Sequence, residues 1–292
     1  MKFPFRVTLP EDVVNDVIRM ALSEDAGGGD VTTEATVGSR ARGRARLTLK
    51  DDGVVAGLEV FRAVFAAFDP RVKVMLKSRE GRFYRRGRNL AEVEGRIRSI
   101  LTCERVALNL LQRLSGIATL THRFVEQVKG TGVKIVDTRK TTPGLRLLEK
   151  YAVLTGGGFN HRFTLSDLAL IKDNHIKAAG GIEQAVRRVR RAGGGVPVEI
   201  EVGPETDPSD LRGLDVDIVM LDNWPVSDLK RAIKVIKGFP SRPLIEVSGG
   251  IGLDGVRKIA MCGPDVISVG SLTHSAPSLD ISLDLKGRAL NG

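Results

Sequence analysis

The sequence predicts an α/β protein: an open or incomplete, TIM-like β/α barrel of about six units, preceded by an α+β sandwich domain. Three observations predict it. From about residue 130, short β-branched apolar runs alternate with segments of helical spacing, as in a parallel sheet built from βα units. Glu199 and Glu201 alternate inside VEIEV, and Glu246 sits inside LIEVS. A barrel lumen accommodates such inward polar groups near its mouth, whereas an open sheet covered by helices is apolar on both faces. The last two runs end in SGGIG (248–252) and GSL (270–272). Late loops of this kind commonly bind phosphate through glycines, backbone N–H groups and a helix N-terminus.

In chain order, RARLTLKDDGVVAGLEV reads as a strand, a DG turn and a second strand, then an amphipathic helix through Phe61 to Phe68. VKVMLKS and NLAEVEG add short strands. The stretch RSILTCERVALNLLQRLSGIATLTHRFVEQVK is a long linking helix. The barrel strands are KIVDT (134–138), LALIK (168–172), VEIEV (198–202), DIVML (217–221), LIEVS (244–248) and VISVG (266–270). Thr142 and Pro143 suit the start of a helix, and Gly156 to Gly158 its end. LDISLDLKG alternates strictly and is expected to return to the first domain. The boundaries expected are 1–112 for the α+β domain, 113–275 for the barrel, and 276–292 for the returning tail.

A chain of 292 residues, 42% hydrophobic and 27% charged, buries a full core. No run is long and apolar enough to span a membrane, and MKFPFRVTLPEDVV lacks the apolar core of a signal peptide. Cys103 and Cys262 are far apart with no second ligand nearby, so buried free thiols and a reducing, cytoplasmic setting are expected. The net charge of +10 concentrates in REGRFYRRGR (79–88) and AVRRVRRAGGG (185–195). The second sets Val186 and Val189 against four arginines, a solvated helix face. The first interleaves Phe83 and Tyr84 with arginines, as a nucleic-acid contact would. Aromatics are only 4% of the chain, and no zinc, RNP-like or helix-turn-helix signature accompanies the charge.

The segment Asp137 to His175 carries Arg139, Lys140, His161, Arg162, Lys172 and His175 around two strand-like runs. Cations at the ends of buried strands are costly unless an anion meets them. A small, multiply charged anion is therefore expected there.

The blocks EDAGGGDVTT, LTCERVALNLLQRLSGIAT, DTRKTTPGLR, GGGFNHR, LIKDNHI, EIEV, MLDN, EVSGGI and VGSLTHSAP stand in order along the chain. Together they resemble the quinolinate phosphoribosyltransferases over almost its whole length. The resemblance implies transfer of a phosphoribosyl group from phosphoribosyl pyrophosphate to quinolinate, with loss of the 2-carboxylate, in NAD biosynthesis. It implies that Arg139, His161 and Arg162 meet the dicarboxylate beside Thr138, with Arg105 reaching in from the linking helix. Lys140 and Lys172 then face the pyrophosphate and the transition state. Glu201 and Asp222 take the ribose hydroxyls and help place Mg²⁺. Ser248, Gly249 and Gly250, with Gly270 and Ser271 opposite, cradle the 5′-phosphate. His175 is left without a role. The family also implies a homodimer, or a hexamer of dimers, whose active site is shared between subunits. Two alternatives stand beside this: a nicotinate phosphoribosyltransferase that releases no carbon dioxide, and a basic nucleic-acid-binding protein.

Overall fold

The computed structural model describes Phe5 and residues 8–290, which fall into two compact units. The first part of the chain forms α1 (Glu11–Ala26), α2 (Val31–Thr36), β1 (Arg42–Leu49), β2 (Gly53–Val54), α3 (Leu58–Phe68), β3 (Lys73–Leu76), β4 (Phe83–Tyr84), β5 (Asn89–Arg96) and α4 (Ile97–Gln127). Then come β6 (Lys134–Val136), α5 (Arg146–Thr155), β7 (Ala169–Ile171), α6 (Asp173–Ala179), α7 (Ile182–Ala192), β8 (Val198–Val202) and β9 (Ile218–Asp222). The rest is α8 (Val226–Lys237), β10 (Leu244–Ser248), α9 (Leu253–Ala260), β11 (Val266–Ser268), α10 (Ser271–His274) and β12 (Ile281–Leu290).

One unit comprises residues 8–122, Thr142–Gly157 and the end of the chain from Ser275. Its sheet is antiparallel, in the order β12-β1-β5-β3. Ala45, Leu47 and Leu49 alternate inward along β1, and the tail continues that face by pairing Leu283 with Leu47 and Ile281 with Leu49. Burying each of these leucines and isoleucines is worth about 1.5–3 kcal/mol. The expected DG hairpin does not form. β2 pairs with β4, while β1 lies between β5 and β12. The reason lies in α4, where the Thr119 and Ser115 hydroxyls accept the amides of Val54 and Ala56 and draw the chain away from β1. Gly116 of the same helix allows close approach, since a Cβ there would sit 2.0 Å from the Pro277 carbonyl oxygen.

The basic stretch around Phe83 is engaged within this unit. Arg85 and the Arg86 amide donate to Asp52, Arg88 donates to Ser78 and the Lys77 carbonyl, and Arg85 and Arg88 lie over the Phe83 and Tyr84 rings.

The other unit comprises Phe5, Arg123–Thr141 and Gly158–His274. All six expected barrel strands are present, parallel, in the order β6-β11-β10-β9-β8-β7. β6 and β7 are the two ends of the sheet, so the barrel is incomplete. On the β6 side Phe159 forms a parallel bridge with Val136, and Asn160 bridges to Phe5. Helices flank the sheet through ordinary amphipathic spacing; α8 buries Leu229, Ala232, Ile233 and Ile236 on one stripe. In α7, Ala185 and Val186 are buried while Arg187, Arg188 and Arg191 are exposed, and Arg190 pairs with Asp215 and Asp217.

The boundaries expected fall after residues 112 and 275; the compact units are drawn differently, with Phe5 in the barrel unit, packed with Leu168 and Ile218, and residues 113–122 and 142–157 in the α+β unit. The buried Glu149 accounts for the second of these, because it accepts from Arg113 as well as from the Thr142 amide and hydroxyl. For the same reason Thr142 and Pro143 do not open a helix; α5 begins at Arg146, and Gly156 closes it as expected. Cys103 is buried and its thiol is pushed up to about 12 by burial, but Cys262 is only partly buried, with Sγ donating to the Lys258 carbonyl. Among the described residues no helix is long and apolar enough to cross a membrane.

Candidate active site

A cavity of about 410 Å³ opens at the C-terminal ends of the barrel strands. Each strand delivers its side chains by the two-residue alternation of extended chain. β8 sends Glu199 and Glu201 inward, β9 sends Met220 and Asp222, and β10 sends Glu246 and Ser248. The loop after β6 adds Thr138, Arg139 and Lys140, the segment after Asn160 adds His161 and Arg162, and Lys172 follows β7.

Thr138, Arg139, Lys140, His161, Arg162, Lys172, Glu201, Asp222 and Ser248 all line this one space. Gly249 and Gly250 follow Ser248 directly, and Gly270 and Ser271 follow β11, where a Cβ on Gly270 would sit 3.1 Å from Lys140 Cδ and 3.2 Å from His274 Nε2. Arg105 is exposed on α4, in the other unit, and is not among the lining residues. His175 caps α6, its Nδ1 accepting the Lys172 amide at 3.0 Å.

The cations are held in different ways. The Lys140 amide donates to Thr138 Oγ1 (3.0 Å), and the Lys140 carbonyl accepts from Thr273 (2.8 Å). The loop is therefore fixed by its backbone while the ammonium group stays exposed. Lys172 Nζ lies 2.5 Å from Glu201 Oε2. Arg162 is buried, with Nη1 on the Leu168 carbonyl at 3.0 Å. Burial, then the neighbouring Arg139, pull its pKa below the ordinary value, although a guanidinium stays charged. Arg139 Nε is itself buried without a hydrogen-bond partner. Two guanidinium groups that repel each other in one cavity are the electrostatic imprint of an anion.

Beneath them lies a group that sequence reasoning missed. His161 Nε2 is 3.1 Å from Glu199 Oε2 and 3.4 Å from Glu246 Oε2, and all three side chains are buried. Their donor atoms lie within 4.8 Å of one another, an arrangement that could hold a metal ion. A histidine nitrogen is not the oxygen ligand that Mg²⁺ selects, so this cluster does not suit that ion. Burial opposes charge on His161, but Glu246 and Glu199 outweigh it and push the imidazole up to about 10. Burial, then Glu246, raise Glu199 to about 7. The Arg162 amide, however, donates to His161 Nδ1 at 2.8 Å, which requires a lone pair there. The ring as its Nε2–H tautomer leaves that lone pair free, and titration belongs to the coupled cluster as a whole. The buried Asp137 fixes the segment by accepting from the His161 amide and from Asn160 Nδ2. The alternation of Glu199 in VEIEV and Glu246 in LIEVS was the available signal. Their meeting at His161 was not readable, because they lie 47 residues apart.

Because both shifts are upward, the native cluster holds protons that the unfolded chain releases. Its stabilisation is complete below the ordinary carboxylate range; the Glu199 part is lost by about 7, and the His161 part between the ordinary imidazole value and about 10. Melting curves from pH 6 to pH 10 are expected to show Tm falling in the wild type and a flatter profile in Glu199→Gln/Glu246→Gln. Equal slopes would refute the assignment.

An incomplete β/α barrel with cations and carboxylates around one cavity at its C-terminal strand ends defines a barrel enzyme built to handle a small polyanion. Comparison with known proteins narrows the class. The family description "Quinolinate phosphoribosyl transferase, C-terminal domain" matches residues 117–284, and the corresponding N-terminal domain matches 30–115. The chain belongs to the quinolinate phosphoribosyl transferase family. It is 41% identical to a probable nicotinate-nucleotide pyrophosphorylase (carboxylating) of Bacillus subtilis, covering 90% of each chain. It is also 41% identical to the nicotinate-nucleotide pyrophosphorylase (carboxylating) of Mycobacterium leprae, covering 94% of this chain and 98% of that one. The crystal structure of NadC from Streptococcus pyogenes, 42% identical, superposes with a TM-score of 0.90 over 98% of this chain and 100% of the other.

Proposed function

We propose that this chain transfers the phosphoribosyl group of phosphoribosyl pyrophosphate to quinolinate and removes the 2-carboxylate. The products are nicotinate mononucleotide, pyrophosphate and carbon dioxide. The observation that carries the reading is the convergence of Arg139, Arg162, Lys140 and Lys172 with Glu201 and Asp222 around one cavity.

The forks of Arg139 and Arg162 receive the two adjacent carboxylates, each fork offering paired N–H groups to paired oxygens. The pyridine nitrogen then attacks the anomeric carbon, and the bond to the pyrophosphate oxygen breaks. Lys140 and Lys172 stabilise the charge that grows on the departing oxygen. Glu201 and Asp222 hold the ribose hydroxyls and offset the positive charge that develops on the sugar ring. Ser248, Gly249 and Gly250, with Gly270 and Ser271, take the 5′-phosphate. Once the nitrogen is quaternary, the bond from C2 to its carboxylate breaks, the electron pair stays on C2, and carbon dioxide leaves. That pair takes a proton. His161, whose Nδ1 accepts the Arg162 amide, and water are the two candidate donors of that proton.

The donor chemistry of Glu201 and Asp222 fits Mg²⁺, which prefers carboxylate, phosphate and water oxygens. Glu201 spends one oxygen on Lys172, and Asp222 one on Asn223, which leaves each carboxylate a second oxygen for the ion. When bound, Mg²⁺ would neutralise charge on the pyrophosphate.

An assay with quinolinate, phosphoribosyl pyrophosphate and Mg²⁺, following mononucleotide and carbon dioxide together, tests the reading. Turnover of nicotinate alone, with no carbon dioxide released, would reject it.

Arg105 completes the dicarboxylate site from a second subunit of a homodimer. Mixing inactive Arg105→Ala with inactive Lys140→Ala is expected to restore up to a quarter of wild-type activity, since a randomly mixed dimer places both intact residues in one of its two sites. No recovery in verified mixed dimers would sink the shared site.

A further inference from the structure

The MLDN run ends in a residue that the proposed reaction leaves unused. Asn223 is, among the described residues, the only non-glycine with positive φ, at 56°. Left-handed backbone is costly for most side chains and least so for asparagine and aspartate. Its Nδ2 donates to Asp222 Oδ2 at 2.7 Å, and its backbone N–H donates to the Ser248 carbonyl at 3.0 Å. Gly249, at φ 101°, makes room for it: a Cβ there would lie 2.2 Å from Asn223 Oδ1 and 2.7 Å from the Asn223 backbone nitrogen. Asn223 therefore touches the end of β9 and the turn after β10 at once.

We propose that Asn223 is a positioning residue that locks the Asp222 carboxylate to the 248–250 loop, so that ribose and 5′-phosphate are recognised as one rigid unit. The inference rests on the proposed roles of Asp222 and that loop. Residue type follows from the geometry. Glycine would keep the backbone but lose the donor to Asp222. Aspartate would tolerate the backbone but set a second carboxylate against Asp222. Asparagine alone among these supplies both left-handed tolerance and an N–H donor.

Asn223→Gly is expected to raise the KM for phosphoribosyl pyrophosphate about tenfold, the effect of one hydrogen bond to a charged group, and to leave the KM for quinolinate within about twofold. Because the effect runs through Asp222, Asp222→Asn/Asn223→Gly should be no worse than Asp222→Asn. An unchanged donor KM, or losses that multiply in the double variant, would overturn the proposal. Should Asn223→Gly fail to fold, Asn223→Asp carries the same test, with the same rise in donor KM expected. Calorimetric binding of ribose 5-phosphate separates this inference from the reaction itself. About tenfold weaker binding in the variant supports it even where quinolinate is not turned over. Equal affinities, or no binding by the wild type, overturn it.

Discussion

Lys140→Ala is expected to lower kcat by a factor on the order of 10²–10³, the effect of removing one donor from a site that stabilises transition-state charge. Three features make the loss specific. The loop is held by its backbone, through Thr138 and Thr273, so the variant keeps the loop in place. The ammonium group is exposed, so its loss leaves no buried partner stranded. Gly270, a proposed phosphate contact, leaves the close space along which the Lys140 stem runs. Steady-state kinetics with both substrates varied, together with a melting curve, check the prediction. A fall in kcat with little change in Tm is the expected outcome; a changed KM for quinolinate with kcat intact would assign Lys140 to the acceptor instead.

Arg139→Ala is expected to lower kcat/KM for quinolinate by a factor on the order of 10²–10⁴, as two charge-assisted hydrogen bonds of about 1.5–3 kcal/mol each are lost from a carboxylate. Arg139→Lys should recover only part of this, since a lysine restores the charge but not the fork. Arg139 is a cleaner probe than Arg162. The Arg162 side chain also donates to the Leu168 carbonyl, so its removal disturbs the protein as well as the ligand. With Arg139 gone, Arg162 loses a repelling neighbour, and stability should hold or rise slightly. The measurement is kcat/KM for each substrate; a loss confined to the phosphoribosyl donor would contradict the assignment.

Most of the barrel was legible in the sequence because its elements repeat a local rule. Each strand is a short β-branched run, each following helix has an apolar stripe, and both patterns survive without knowledge of neighbours. The same holds for the cations after KIV and ALI, which stand where strand ends place them. Legibility failed where a distant partner overrode a local signal. The DG pair after β1 has good hairpin chemistry, but Ser115 and Thr119 of α4 claim the next amides. Thr142 and Pro143 form a good helix start, but Glu149 claims the threonine. Phe5 carries no signal at all for barrel membership; its place is set by the edge left open at Asn160.

By itself, then, the sequence determined the kind of architecture, where its barrel strands lie along the chain and the inventory of charged groups at their ends. Those follow from periodicity and from the cost of burying charge. Only the tertiary structure decided which charges meet. It set His161 between Glu199 and Glu246, brought Arg139 beside Arg162, paired Lys172 with Glu201, and tied Asp222 to the turn after β10 through a left-handed Asn223. The physical reason is that electrostatic and hydrogen-bond energies depend on separation in space. A parallel sheet brings together strand ends that lie tens of residues apart along the chain.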